Sequence, residues 1–477
     1  MPKGFKKYIV PLIIFFVSFF ILFFRLSSSV AFVGDFGRDL YEIAKIASGN
    51  LTLLGPKGSF GGLYTTPYYY YLFVIPFILG GKNLIGVLLF NCFLFSFSIG
   101  LLTFFIQKNT NSIKALLAGL SFSFMSFIIS SGRQPGNGFT HIPFFLIFLA
   151  IFYFFDAKKF SSWKTLLIGF LFGFIVSMIF GYGILVIPIF LFVYFKINDW
   201  KKFLLFLAGF CIAFSPLLLF ELKNNFIMIK NTFVDKSYLS FINNTNLPNG
   251  ITLNKNIFLN GLFLSKEINY WMGVSLLLTI FSIMVSFSKK DKNLLVTNIF
   301  SFVIMATILR FQYSFHYLLP FITLLSFTLI ATVVKGKHAY LLLLLIIIIL
   351  IFRLPVKLYS QVADHMNYDY IKNSVNQIIS KNWLDDNDRF NVLLIRKSGA
   401  QVPVGNEYRY FFVINNYFSD GETLYNQSKK LIVFAEDKNY DIKKFNSWES
   451  REFNMKEAKV VDSFISSNQT KVYFLTK

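Results

Sequence analysis

Residues 31–81, AFVGDFGRDLYEIAKIASGNLTLLGPKGSFGGLYTTPYYYYLFVIPFILGG, form the only long polar interruption in the first two hundred residues of a 477-residue chain. Asp35, Arg38, Asp39 and Glu42 crowd into eight residues of it, although charged residues make up only 15% of the composition. Charge so concentrated in so apolar a chain marks a candidate site, and the rest of the sequence is read outward from it.

Around this stretch the chain is 55% hydrophobic and 19% aromatic, with a mean hydropathy of +0.58. That composition belongs to a polytopic α-helical membrane protein. A spanning helix needs about 20 apolar residues. Runs that meet or approach this begin near residues 8, 84, 112, 139, 165, 182, 201, 270, 293, 314 and 339, about eleven spans in all. Gly181, Tyr182 and Gly183 interrupt one apolar run at the point where a hairpin tip is needed. The basic start is read as an uncleaved first helix, its apolar run being longer than a usual signal core.

The net charge of +22 raises nucleic acid as a partner, but the basic residues are scattered between apolar runs and form no stripe. Basic loops facing an anionic leaflet, together with a phosphate-bearing ligand, account for it better. Cys92 and Cys211 both fall within apolar runs, which excludes a disulfide framework or a CxxC metal site. Lysines and arginines flanking the short loops place the N-terminus in the cytoplasm. This holds for all basic loops only if residues 67–81, which contain Pro67 and Pro76, do not cross the membrane. The external face then collects residues 32–83, the GRQPGNG turn at 132–138, the hairpin tip, residues 221–269, residues 310–316 and everything after Pro355.

Beyond Leu354 the chain turns mixed and polar, with no further span. Residues 368–379 have a helical pattern, while FNVLLI, YRYFFVI, KKLIVFAE and KVYFLTK read as short strands. The expected organisation is a transmembrane domain over 1–354, carrying the external loop 32–83, and a small external α/β domain over 355–477.

Two chemistries fit Asp35-Phe-Gly-Arg38-Asp39. A carboxylate just outside a membrane helix, beside a second acid and an arginine, can serve as a general base. Equally, Asp35 or Asp39 can cap the amphipathic DLYEIAKIA helix, with Glu42 supporting its first turn. Arg133, Gln134, Asn137 and His141 form one external polar cluster; Arg310, His316 and Tyr317 form another. Arginine offers a planar fork for phosphate oxygens, against the alternative of snorkelling to lipid headgroups. Glu221 ends a helix on the same face, as a second acid, a metal ligand or a plain interfacial carboxylate. The run Tyr68 to Tyr71 suits an aromatic belt, and a polyprenyl groove would use the same residue types. Motifs of the GxxxxGK[ST], HExxH and GxSxG kinds are absent, which leaves ATP-driven transport, zincin proteolysis and serine hydrolysis without a foothold.

These stretches resemble a known family. A first helix, an external loop with an acidic motif (GDFGRD), a proline-aromatic element (TTPYYYYL) and a helix bundle ending in an external domain look like the GT-C fold. The likeness is to bacterial relatives of the protein O-mannosyltransferases and the lipid A aminoarabinose transferases. GRQPGNGFTHIPFFL resembles their external Asn-Pro turn, SPLLLFELKNNF a helix end, FHYLLPF a late helix start and NEYRYFFVI a strand. The sequence departs from the pattern where Asp35-Phe36 stands for Asp-Glu and Thr65-Thr66-Pro67 for Lys-Pro-Pro. The second change removes a lysine that in relatives could contact phosphate.

The resemblance implies an inverting glycosyltransferase that moves a sugar from a polyprenyl-phosphate-linked donor to an unidentified glycan, lipid or protein acceptor on the external face. It implies Asp35 as the base with Asp39 beside it, and Arg38, Arg133, Arg310, His316 and Tyr317 toward the donor phosphate. Asn137, His141, Glu221, Tyr64 and Tyr68 are implied toward the substrates. Some members use a divalent metal near the acidic loop and others do not, so a metal is left unassigned. A lipid-linked glycan flippase would want charge near the bilayer midplane and internal symmetry, and an O-antigen ligase or polymerase a large late loop; both stay as alternatives.

Overall fold

The computed structural model describes residues 6–58, 63–179, 182–235, 315–352, 354–385, 388–397, 404–467 and 469–477. Along the chain run α1 (Lys6–Phe23), α2 (Asp35–Ala47), α3 (Tyr68–Leu79), α4 (Leu84–Asn109), α5 (Ser112–Ser123), α6 (Ser126–Arg133) and α7 (His141–Phe154). Then follow α8 (Ser162–Met178), α9 (Gly183–Ile197), α10 (Trp200–Ile212), α11 (Ser215–Lys223), α12 (Phe315–Lys335), α13 (Ala339–Phe352) and α14 (Tyr368–Ser380). Beyond these come β1 (Phe390–Ile395), α15 (Asn406–Ile414), β2 (Lys430–Ala435), α16 (Trp448–Phe453), β3 (Lys459–Ile465) and β4 (Lys471–Thr476).

Each apolar run expected to span becomes helix, except those beginning near 270 and 293, which lie outside the described residues. Among the described residues only α4, with 26 residues, is by itself long and apolar enough to cross a bilayer. The pairs α5/α6 and α10/α11 reach that length together, bent by 61° and 54°. The helices α1, α7, α8, α9 and α13 are apolar but run 14 to 18 residues. With 12 residues and Pro76 inside it, α3 extends about 18 Å at 1.5 Å per residue, short of a hydrocarbon core of about 30 Å. Phe16, Phe20, Ile187, Leu341 and Phe352 stand exposed on these helices. Apolar exteriors repeated helix after helix belong in lipid.

Two compact units emerge. The first comprises Met1–Phe24, Thr52–Tyr69 and Leu88–Pro355; the second Arg25–Leu51, Tyr70–Val87 and Val356–Lys477. The loop expected over 32–83 is thus shared between them.

In the first unit α8 and α10 meet backbone to backbone at Gly169 and Gly209, where a side chain would not fit. A Cβ on Gly169 would sit 2.0 Å from the Phe206 carbonyl oxygen, and one on Gly209 would sit 2.1 Å from that of Leu166. Small residues that let helix backbones touch supply packing where the hydrophobic effect gives no drive. Polar side chains pair across the helices as well: the Ser18 and Ser123 hydroxyls are 2.7 Å apart, and Asn91 Nδ2 donates to the Ser131 and Gly132 carbonyls at 3.0 and 2.9 Å.

The second unit is built on a four-stranded sheet of order β1-β2-β4-β3, with β1 and β2 parallel and the other pairings antiparallel. FNVLLI and KLIVFA, the cores of β1 and β2, are buried almost throughout, as strands covered on both faces must be. Leu393, Ile395, Leu431, Val433 and Leu475 face one core with Phe453 and Met455. On the other face the Tyr408 ring stacks on Phe434 and Trp383 on Phe474. YRYFFVI, expected as a strand, is the helix α15. The parallel pairing of β1 and β2 demands a crossover element, and this segment, buried on every side from Asn406 to Val413, supplies it.

The segments from the N-terminal half are sewn into this unit. Phe32 N–H donates to the Met366 carbonyl and Val362 N–H to that of Ser28. The Phe32 ring meets Tyr368, Tyr410 and Phe411 edge-on, and the Tyr410 hydroxyl donates to the Lys82 carbonyl.

Candidate functional site

The charged cluster lies in the second unit on α2. Phe36, Leu40, Ile43 and Ala44 bury one face of this helix at the spacing of an amphipathic stripe, and that face packs on α15. The helix begins at Asp35 itself. Gly34 therefore occupies the cap position, with no side chain to bond, and neither aspartate caps the helix. The capping expectation is corrected by where the helix starts: Asp35 is its first residue and Asp39 lies a full turn inside it.

Arg38 bridges the two acids. Its Nη1 donates to Asp35 Oδ1 at 2.9 Å, while Nε and Nη2 both donate to Asp39 Oδ1 at 3.0 and 2.7 Å. The two carboxylates differ in surroundings: the Asp35 side chain is 81% exposed, that of Asp39 fully buried. Burial works against the Arg38 charge, but Asp39 and then Asp35 more than offset it and hold the guanidinium above its ordinary pKa. The Tyr70 hydroxyl, buried beside the same pair, is pushed well above its usual range by burial and by Asp39, so it stays neutral. Farther along the helix Lys45 Nζ donates to Glu42 at 3.1 Å. The arrangement is one exposed carboxylate held by an arginine that is itself paired with a buried carboxylate, a form suited to accepting a proton from a bound hydroxyl.

Beneath α2 lies a second group of charges. Arg396 donates from Nη2 to Glu407 on α15 and from Nη1 to Glu436 at 3.3 Å, the three side chains being 12%, 3% and 8% exposed. Burial raises the Glu407 carboxyl above the ordinary carboxylate pKa, opposed by Arg396. A carboxyl with a raised native pKa holds its proton more tightly when folded. Its contribution to stability is complete below the unfolded value near 4.5 and is lost as pH rises through the folded one. Unfolding midpoints measured from pH 4 upward should therefore fall more steeply with pH in the wild type than in Glu407→Gln.

The remaining sequence-derived residues lie in the first unit. Arg133 is buried and donates from Nη1 to the Leu22 and Phe24 carbonyls at 2.7 and 2.8 Å, closing the C-terminal end of α1. His141 is fully buried. Its Nε2 donates to the Gly138 carbonyl at 3.0 Å, which leaves Nδ1 to accept from the Tyr182 hydroxyl at 2.8 Å. Glu221 is buried as well, its two oxygens accepting from the Met228 and Ile229 N–H groups at 3.0 Å each. Glu221→Ala should cost about 1–3 kcal/mol by leaving those donors unmet, measurable as a lower unfolding midpoint in detergent. Asn137 sits half-buried in the 132–138 turn, and Tyr64 pairs with Lys57 in an isolated bridge. Tyr68 packs on Phe174 at 5.3 Å. Arg310 and the side chains of His316 and Tyr317 lie outside the described residues. No three His, Cys, Asp or Glu side chains gather as metal ligands among the described residues.

Sequence reading missed Glu407, Arg396, Tyr70 and Thr66. Thr66 pins its loop to α8 by pairing its hydroxyl with that of Ser177 at 2.8 Å. An acid inside the apolar run NEYRYFFVI was the one available signal for Glu407.

No protein-family model and no curated protein matches the chain. Solved structures do. Apo ArnT from Cupriavidus metallidurans superposes with a TM-score of 0.60 at 10% identity, covering 98% of this chain and 97% of that one. ArnT bound to undecaprenyl phosphate gives 0.59 at 10% identity, covering 99% and 98%. The Archaeoglobus fulgidus oligosaccharyltransferase complex with Zn and sulfate gives 0.47 at 13% identity, over 89% and 68%. Across almost its whole length, then, this chain is folded as ArnT is, and the GT-C architecture expected from its sequence is the one it adopts.

Proposed function

We propose that the protein is an inverting glycosyltransferase of the cell membrane. It moves a sugar from a polyprenyl-phosphate-linked donor to an acceptor on the external face, with the N-terminus cytoplasmic and the second unit outside. The observation that carries this reading is the exposed Asp35 carboxylate, fixed at the start of α2 by Arg38, which is itself anchored on buried Asp39. In the reaction the acceptor oxygen forms a bond to the anomeric carbon while the bond from that carbon to the phosphate oxygen breaks. The hydroxyl proton passes to Asp35, and the lipid phosphate departs as an anion that needs no general acid. Arg38 orients Asp35. Contact with the donor phosphate falls to Arg310, His316 and Tyr317, and with the substrates to Asn137, Tyr64 and Tyr68. Arg133, His141 and Glu221, engaged with backbone and Tyr182, hold the helices of the first unit in place. The fold likeness supports this, since ArnT has been solved with undecaprenyl phosphate bound.

The test is transfer by the purified protein. Radiolabelled sugars linked to polyprenyl phosphate are supplied with glycan, lipid and peptide acceptors, and label is followed into product. Incorporation from at least one lipid-linked donor is expected. Incorporation only from nucleotide sugars, or movement of intact lipid-linked glycan across vesicles without transfer, would overturn the reading.

A further inference from the structure

The turn that carries Asp35, Arg38 and Asp39 also carries Gly37, which faces the opposite way. A methyl built on Gly37 would lie 2.9 Å from both the Cα and the N of Glu407, so α2 rests directly on the first turn of α15. Glu407 is in turn immobilised. Arg396, one residue past β1, binds it and also reaches Glu436, one residue past β2. The strand ends are tied to each other, with Glu436 N–H donating to the Ile395 carbonyl at 3.0 Å and Lys397 N–H to Glu436 Oε2 at 2.9 Å. An unbroken chain of contacts therefore runs from the parallel strand pair through Glu407 to the backbone of the turn bearing Asp35. Burying three charged groups costs solvation that a well-packed apolar trio would not. A defined position is what such a network provides in return.

We propose that Glu407 is a positioning residue for the transfer reaction: clamped by Arg396 and Glu436, it sets through its contact with Gly37 where the Asp35 carboxylate stands. The inference rests on the transferase reading above. The adjoining ends of β1 and β2 then bear on the reaction through Arg396 and Glu436.

Three variants test this: Gly37→Ala, which forces α2 away from α15; Glu407→Gln, which keeps the shape but weakens the clamp; and Phe453→Leu, which loosens the core on the opposite face of the sheet. Transfer kinetics are measured together with hydrogen–deuterium exchange of residues 35–47. A displacement of the order of 1 Å at the base can cost about 100-fold in rate. Gly37→Ala should therefore lose kcat by about that factor with donor KM within about threefold, and amide exchange in α2 should quicken. Glu407→Gln should show the same pattern at about a tenth of the size. Phe453→Leu should lower the unfolding midpoint while keeping kcat and α2 exchange near wild type. Unchanged α2 exchange in Gly37→Ala overturns the proposal, as does an equal loss of kcat in Phe453→Leu. If the wild type transfers no sugar, the transferase reading fails, while exchange still decides whether Glu407 positions the turn.

Discussion

With Asp35 as the proposed base, Asp35→Asn is expected to lose between about 100-fold and 10,000-fold in kcat, the range over which a positioned general base contributes to proton transfer. The substitution is nearly isosteric. Asparagine keeps an oxygen at the place where Arg38 Nη1 donates at 2.9 Å, so the turn stays built while its proton acceptor is gone. Little stability should be lost with it, because exposed ion pairs contribute about 0–1 kcal/mol and the Asp35 side chain is 81% exposed. Parallel measurement of kcat and of the unfolding midpoint separates this from its neighbour. Asp39→Asn removes the buried countercharge of Arg38 and should lower both. Asp35→Asn transferring sugar as fast as wild type would remove Asp35 from the mechanism.

The largest loss of stability is expected from Arg409→Met. Arg409 is fully buried, yet its hydrogen-bond partners are all neutral groups. Nε donates to the Val404 carbonyl and Nη1 to Ser419 Oγ and the Asp420 carbonyl; Nη2 reaches Asn391, the Val392 carbonyl and the Tyr425 hydroxyl. One guanidinium thus ties the crossover helix α15 to β1 and to the chain that leads on to β2. Methionine fills much of the volume and meets none of those acceptors. Several buried polar groups left unmet cost about 1–3 kcal/mol each. Allowing for relaxation, about 3–5 kcal/mol is expected, which for a domain of this size lowers its unfolding midpoint by about 10 °C. Arg409→Lys keeps the charge but not the fork, and should fall between the two. A midpoint within about 2 °C of wild type for Arg409→Met would show that the network contributes little.

What the sequence disclosed was local. The apolar runs, the break between α8 and α9, the strands FNVLLI, KLIVFA and KVYFLT and the charged turn at Asp35 are each written in neighbouring residues. They were legible for that reason. YRYFFVI was misread because a short apolar run has no decisive period; its state follows from the parallel pairing of β1 with β2, which no local pattern records. The site divides the same way. Asp35, Arg38 and Asp39 fall within one turn and were found together, whereas Glu407 meets Gly37 across most of the chain's length. Arg133 illustrates the converse: its residue type suggested a ligand for phosphate, but its Nη1 closes α1 more than a hundred residues earlier.

The discontinuous make-up of the second unit also imposes an order on biosynthesis. Residues 25–51 are made long before the sheet of the unit they belong to, which is completed only when β4, ending at Thr476, has been made. Pairing across so long a separation is slow and comes late. A chain interrupted before β4 can therefore insert its early helices while its Asp35 turn still lacks a seat, and on the proposed reading it should bind membrane without transferring sugar.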